Sequence, residues 1–170
     1  MTETLTIRAQ DVNDRAAVLS VLRDAFRRDD EARLVEALWR EDAMIIELVA
    51  EQDGRIVGYC AFSEVTAEPA LDGLLLGLAP LAVINVQQGQ GHGKALAMAG
   101  LELCRQRGAK LVVVLGEPEY YSRFGFTPAS DYIVSWATMD VGRVFQLIDF
   151  GGVTGAAPIR IHYHPAFSAV

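Results

Sequence analysis

Residues 85–100 read NVQQGQGHGKALAMAG. Glycines fall at alternate positions, Gly89, Gly91 and Gly93, and a helical pattern begins directly after them. Alternating glycine is costly in backbone entropy and supplies no packing surface. A loop that leaves a strand and enters a helix gathers free backbone N–H groups in one concavity. The helix dipole adds about half a positive charge there. The stretch therefore predicts an anion site that a phosphate can approach closely, because Cβ atoms are missing.

The flanks fit that reading. Before the loop, LLLGLAPLAVI (74–84) predicts a buried strand interrupted at Gly77 and Pro80. After it, GKALAMAGLELCRQRGAK (93–110) has Leu96, Ala99, Leu103 and Cys104 at helical spacing, with Gly108 as a natural stop. KLVVVL (110–115) predicts a central strand, so 74–115 predicts a right-handed βαβ crossover.

Further out, TLTIR predicts a first strand, and DVNDRAAVLSVLRDAF a helix with Asp11, Asn13 or Asp14 as N-cap. DDEARLVEALWR predicts a second helix with Leu34, Val35, Leu38 and Trp39 on one face. Residues 44–65 predict a hairpin around Asp53-Gly54. EPEYYSRFGF predicts a short helix with Pro118 in its first turn and Gly125 at its end. YIVSW, VFQLIDF and IRIHYH predict three late strands. This order gives a mixed α/β sheet in one domain, 1–170.

Composition narrows the function. No uninterrupted apolar run approaches the ~20 residues of a membrane span. The first ten residues lack the pattern of a signal peptide, so a cytoplasmic location with no membrane partner is expected. A net charge of −7 argues against nucleic acid as the main partner and weakly favours a cationic substrate. Cys60 and Cys104 lie in apolar surroundings and read as buried reduced thiols.

Three phosphate motifs compete for the loop. A Walker A loop requires glycine where Gln88 stands, and Ser or Thr where Ala95 stands. A Rossmann fingerprint has the wrong third spacing. The pattern Q-x-x-G-x-G matches QGQGHG, Gln88 to Gly93, at every specified position.

That match, with PLAV (80–83) before it and YYSRFGF (120–126) after it, resembles the GCN5-related N-acetyltransferases (GNAT). VVVLGEPEYYSRFGFTPAS and YHPAF resemble most closely the bacterial, YhbS-like subgroup. The resemblance is strong from Leu78 to Pro128 and weak over the first 45 residues. It implies a mostly antiparallel central sheet with a parallel crossover, a V-shaped split and helices on both faces. It also implies acetyl-CoA as co-substrate, an amine acceptor as partner, direct transfer and no metal, and it leaves a homodimer open.

By the same resemblance, backbone groups of Leu81 and Val83, around Ala82, would hold the pantetheine arm. Gln88 opens the motif, and the amides of Gly89, Gln90, Gly91, His92, Gly93 and Lys94 would hold the pyrophosphate. Tyr121 aligns with the tyrosine facing the thioester sulfur, whereas Tyr120 should pack. Asn85, Val86 and Gln87 depart from the family's usual turn, with little effect expected on binding. His92 reads as a variable loop position, and Glu117 and Glu119 as solvated carboxylates. No general base is evident on 74–84; Glu64 and Asp72 are the nearest acids. His162 and His164 share one face of the last strand and read as structural. An acyl-CoA sensor without catalysis, or an enzyme for longer acyl chains, are the alternatives.

Overall fold

A computed structural model describes residues 4–168 of the chain. They form two compact units, residues 4–62, 79–102 and 165–168, and residues 63–78 and 103–164. The boundary falls inside three continuous elements.

In the first unit, β1 (Leu5–Ala9) pairs antiparallel with β2 (Met44–Gln52), with Leu5 opposite Gln52 and Ala9 opposite Leu48. Strand β2 turns into β3 (Arg55–Glu64) at Asp53-Gly54. Both turn residues have positive φ, +51° and +77°, as a type I′ hairpin requires. The strand order is β1-β2-β3-β5, where β5 is Leu75–Val83.

Helices α1 (Arg15–Phe26) and α2 (Asp30–Arg40) bury Val18, Val21 and Leu22, and Ala32 and Val35, against Val49, Tyr59, Ala61 and Ala82. Of the three candidate caps, Asp14 stands at the N-cap of α1 without a side-chain capping bond, and Asp11 caps the 3-10 turn, Val12–Asp14, that leads into the helix. Asp11 Oδ1 accepts from the Asn13 amide at 2.8 Å, while Asp14 Oδ2 accepts from the Asp11 amide at 2.7 Å. Hydrogen bonds from the Arg8 guanidinium hold the Asp14 carboxyl below its ordinary pKa.

The opposite sheet face carries α3 (His92–Gln106), since successive strand residues point to opposite sides. A Cβ on Gly58 would lie 2.8 Å from Leu96 Cδ1 and 3.2 Å from the Ala82 carbonyl oxygen. A Cβ on Gly100 would run into the Phe62 ring. Helix and sheet therefore approach through one missing side chain on each.

In the second unit, β5 pairs in parallel with β6 (Leu111–Leu115), with Leu75 opposite Leu111 and Gly77 opposite Val113. The predicted crossover thus forms. Contrary to expectation, Gly77 and Pro80 do not interrupt β5. Gly77 lies inside the strand because a side chain there would crowd Val65, at 3.0 Å, and the Tyr163 ring, at 3.5 Å. Helix α3 ends as a Schellman motif. Gly108, at φ +76°, donates to the Arg105 carbonyl and Ala109 to that of Cys104.

Helix α4 (Pro118–Tyr121) is followed by a 3-10 turn, Ser122–Phe124, ended by Gly125 at φ +99°. Strand β7 (Thr127–Pro128) and β6 both pair antiparallel with β9 (Phe145–Asp149). A second sheet has the order β4 (Thr66–Glu68), β10 (Ile159–His162), β8 (Val134–Trp136), and pairs β10 with β8 in parallel. Strands β8 and β10 lie within the predicted YIVSW and IRIHYH segments, whereas β4 had no signal in the sequence. Val65, Leu75, Leu111, Val113, Leu147 and Ile161 share the core of this unit.

The close approach of α3 reverses the usual effect of Gly→Ala in a helix, which is stabilising by up to ~1 kcal/mol. Gly100→Ala is expected to destabilise by about 1–3 kcal/mol through overpacking against Phe62. Urea denaturation checks the sign.

Candidate active site

The chain leaves β5 through a 3-10 turn, Asn85–Gln87, and enters α3 at His92. Two anchors set this turn. The Asn85 amide donates to Asp24 Oδ2 at 2.7 Å, and Asn85 Nδ2 to the Asp24 carbonyl at 2.6 Å. Gln88 Nε2 donates to the Val83 carbonyl at 2.9 Å and to Asn85 Oδ1 at 3.2 Å. The Gln88 side chain thus ties the loop to the end of β5. Asn85 ties it to α1.

Beyond these anchors the backbone opens. Gly89 and Gly91 have φ of +79° and +86°, and a Cβ on either would meet no heavy atom within 4 Å. The first bond into α3 runs from the Ala95 amide to the Gly91 carbonyl at 3.0 Å. Among the described residues, the six amides from Gly89 to Lys94 have no backbone acceptor outside regular elements. The first turn of a helix also lacks internal acceptors for its amides. Positive-φ glycines leading into a fifteen-residue helix make a concave row of donors at the positive end of its dipole. Lys94 is exposed beside it, with no ion pair among the described residues.

His92 departs from the sequence expectation. Its side chain is buried beneath the first turn, with Nε2 3.4 Å from Gln52 Oε1 and Nδ1 unpartnered. Only its backbone amide belongs to the donor row. On β5, Leu81 is half-buried and Ala82 and Val83 are buried. The parallel register between β5 and β6 ends at Gly77.

In the second unit, Tyr121 is the last residue of α4, and its amide donates to the Glu117 carbonyl at 3.0 Å. The ring lies over Gly116, where any Cβ would overlap it. Gly116 is itself held, its amide by the Val144 carbonyl at 2.9 Å and its carbonyl by Gln146 Nε2 at 3.0 Å. Edge-on contacts with Tyr120 at 5.0 Å, Phe126 at 5.8 Å and Phe124 at 6.1 Å fix the ring further. Tyr120 packs as expected, with the Arg123 guanidinium 5.5 Å from its ring centre. Burial, and then the neighbouring Tyr121, push the Tyr163 hydroxyl above its ordinary pKa.

Glu64, Asp72, Glu117 and Glu119 are exposed. The carboxylate that the sequence reading missed is Glu47 on β2. Its Oε1 accepts from Trp39 Nε1 at 2.5 Å and from the Tyr59 hydroxyl at 2.6 Å. Burial, and then Glu47, push the Tyr59 hydroxyl pKa upward. A lone acid inside MIIELVA was the available signal. His162 Nε2 lies 3.2 Å from Glu68 Oε1. Among the described residues no three His, Cys, Asp or Glu side chains gather as a metal site, and no helix is long and apolar enough to cross a membrane.

A family model described as Acetyltransferase (GNAT) family matches residues 15–126. The chain belongs to the GNAT acetyltransferase family. It is 36% identical over 166 residues to the uncharacterized N-acetyltransferase YhbS of Escherichia coli K12, covering 94% of this chain and 99% of that protein. The crystal structure of E. coli YhbS in complex with CoA superposes with a TM-score of 0.88 at 33% identity, covering 99% of this chain and 94% of that one. A GNAT acetyltransferase from Brucella melitensis in complex with acetyl-CoA gives 0.81 at 34% identity, covering 96% and 98%. The GNAT fold, mixed α/β with a mostly antiparallel sheet and the parallel β5–β6 pair, is therefore that of this chain.

Neither cysteine is in a disulfide, both are fully buried, and burial pushes the Cys104 thiol up to about 12. Iodoacetamide at neutral pH is expected to label neither in the folded protein and both after unfolding, read by mass spectrometry. Rapid labelling of either in the native state would contradict their placement.

Proposed function

We propose that the chain transfers the acetyl group of acetyl-CoA directly to a primary amine. The observation that carries this reading is the donor row of Gly89–Lys94 with open space above Gly89 and Gly91. A pyrophosphate fits such a row in charge and in shape. The complexes of the two relatives, with CoA and with acetyl-CoA, support the same ligand.

When bound, acetyl-CoA supplies a thioester whose acyl carbon the amine attacks and whose C–S bond then breaks. The amides of Gly89 to Lys94 bind the two phosphates, and the β5 backbone at Leu81 and Val83 orients the pantetheine arm. The Tyr121 hydroxyl donates its proton to the departing sulfur. A phenol with ordinary pKa near 10 is protonated at neutral pH and suits that role. The proton that the attacking nitrogen sheds passes to water, and water returns one to the Tyr121 phenolate, so the hydroxyl is restored for the next turnover. Neither buried cysteine takes part, so no acyl-enzyme forms.

Gly91→Val tests the loop. A branched side chain at φ +86° would both strain the turn and enter the open space. Calorimetry is expected to show acetyl-CoA affinity falling by more than about tenfold, or about 1.4 kcal/mol, in a variant that circular dichroism shows folded. Unchanged affinity would remove the pyrophosphate assignment.

Tyr121→Phe separates enzyme from sensor. The variant keeps the ring and loses the donor. A kcat decrease of about 10²-fold is expected, with the acetyl-CoA dissociation constant changed only a few-fold, because the bond strengthens as charge develops on sulfur. Wild-type turnover in the variant would make Tyr121 a packing residue. Tight acetyl-CoA binding by the wild type without turnover on a broad amine panel would favour the sensor.

A further inference from the structure

The second unit holds a pocket of about 520 Å³ that neither the donor row nor Tyr121 uses. Its volume lies within the range of small-molecule sites. Trp136, Val141 and Phe145 form apolar walls, and Met139 stands at 57% exposure beside them. The Trp136 ring is half-buried against the core of the unit and meets Tyr163 edge-on at 6.3 Å. It is therefore an immobilised aromatic surface.

Two further features mark the pocket. Ile133 lines it at φ +60°, in a region that β-branched residues avoid. Its amide donates to the Ser130 carbonyl at 3.3 Å and its carbonyl accepts from the Ile159 amide at 3.0 Å, which locks the conformation. Half the side chain is exposed, so burial does not offset the strain, and glycine would fit the backbone more cheaply. Backbone strain of this kind gathers at ligand sites.

The other feature is Arg160. It is exposed on β10, lines the pocket and, among the described residues, forms no ion pair. Its cross-strand neighbour on β4 is Glu68, whose Oε1 lies 3.2 Å from His162. Asp140, also in the lining, accepts from the Gly142 amide at 2.9 Å, and its charge disfavours a second anion.

We propose that this pocket binds a small monocarboxylate with an aryl or alkyl body, the body against Trp136 and Phe145 and the carboxylate on Arg160. An apolar floor supplies affinity without direction, and one guanidinium supplies the orientation, because its fork of donors matches a carboxylate in two parallel bonds. The site is a property of the second unit alone and does not depend on acetyl transfer.

The test uses 4-phenylbutyrate, 4-phenylbutanol and 4-phenylbutylamine as probes of the whole chain. Binding is read by calorimetry, and by tryptophan fluorescence in Trp39→Phe, where Trp136 is the remaining tryptophan. The acid is expected to bind saturably and shift the fluorescence, about tenfold more tightly than the alcohol, as one charge-assisted pair contributes. Arg160→Gln, an exposed substitution, should bring the acid down to the alcohol and leave the alcohol unchanged. Equal affinities for acid and alcohol, an amine that binds more tightly than the acid, or no saturable signal up to about 10 mM would each overturn the proposal. Calorimetry on the wild type decides the matter if Trp39→Phe does not fold.

Discussion

The close packing of α3 on β3 is the constraint on which the donor row depends. Gly58 offers no side chain on the strand, Gly100 offers none on the helix, and Leu96 and Phe62 fill the two gaps. The helix axis is thereby fixed against the sheet, and its first turn is fixed with it. A row of amides binds an anion well only if it is already aimed before the anion arrives, since ordering a loose loop on binding would consume much of the interaction. Buried His92, seated against Gln52, holds the same first turn from below.

The loop is secured at its other end by side chains rather than by packing. Gln88 reaches back to the last carbonyl of β5, and Asn85 reaches across to Asp24 of α1. Side-chain amides suit this work because each carries donors and an acceptor that can satisfy backbone groups left over by an irregular turn. The glycines between these side-chain anchors and the packed helix remain free to hold positive φ. Rigid ends with a bare middle let a short segment be both ordered and open.

The second unit uses the same device around Tyr121. A bare Gly116 lies under the ring, Gln146 and Val144 hold Gly116 from two sides, and three aromatic edges surround the ring. A phenol on a four-residue helix would otherwise sample several rotamers, because so short a helix has little stability of its own. In both units a missing Cβ permits the contact that sets the neighbouring element in place.

The sequence by itself determined the parts that local rules govern. Helical spacing located α1, α2 and α3, Asp53-Gly54 located the hairpin, Gly108 ended α3, and the QGQGHG run located the open glycine loop, because each signal is confined to a few neighbouring residues. Tertiary structure decided the rest. It carried β5 through Gly77, buried His92, paired Asn85 with Asp24 at 61 residues' separation and brought Glu47 to Trp39 and Tyr59. It also assembled the short second sheet and the pocket beside it. A contact between distant positions leaves no periodicity in either segment, and a glycine kept for close approach reads the same in sequence as one kept for a turn. Only the packing of one element on another distinguishes them.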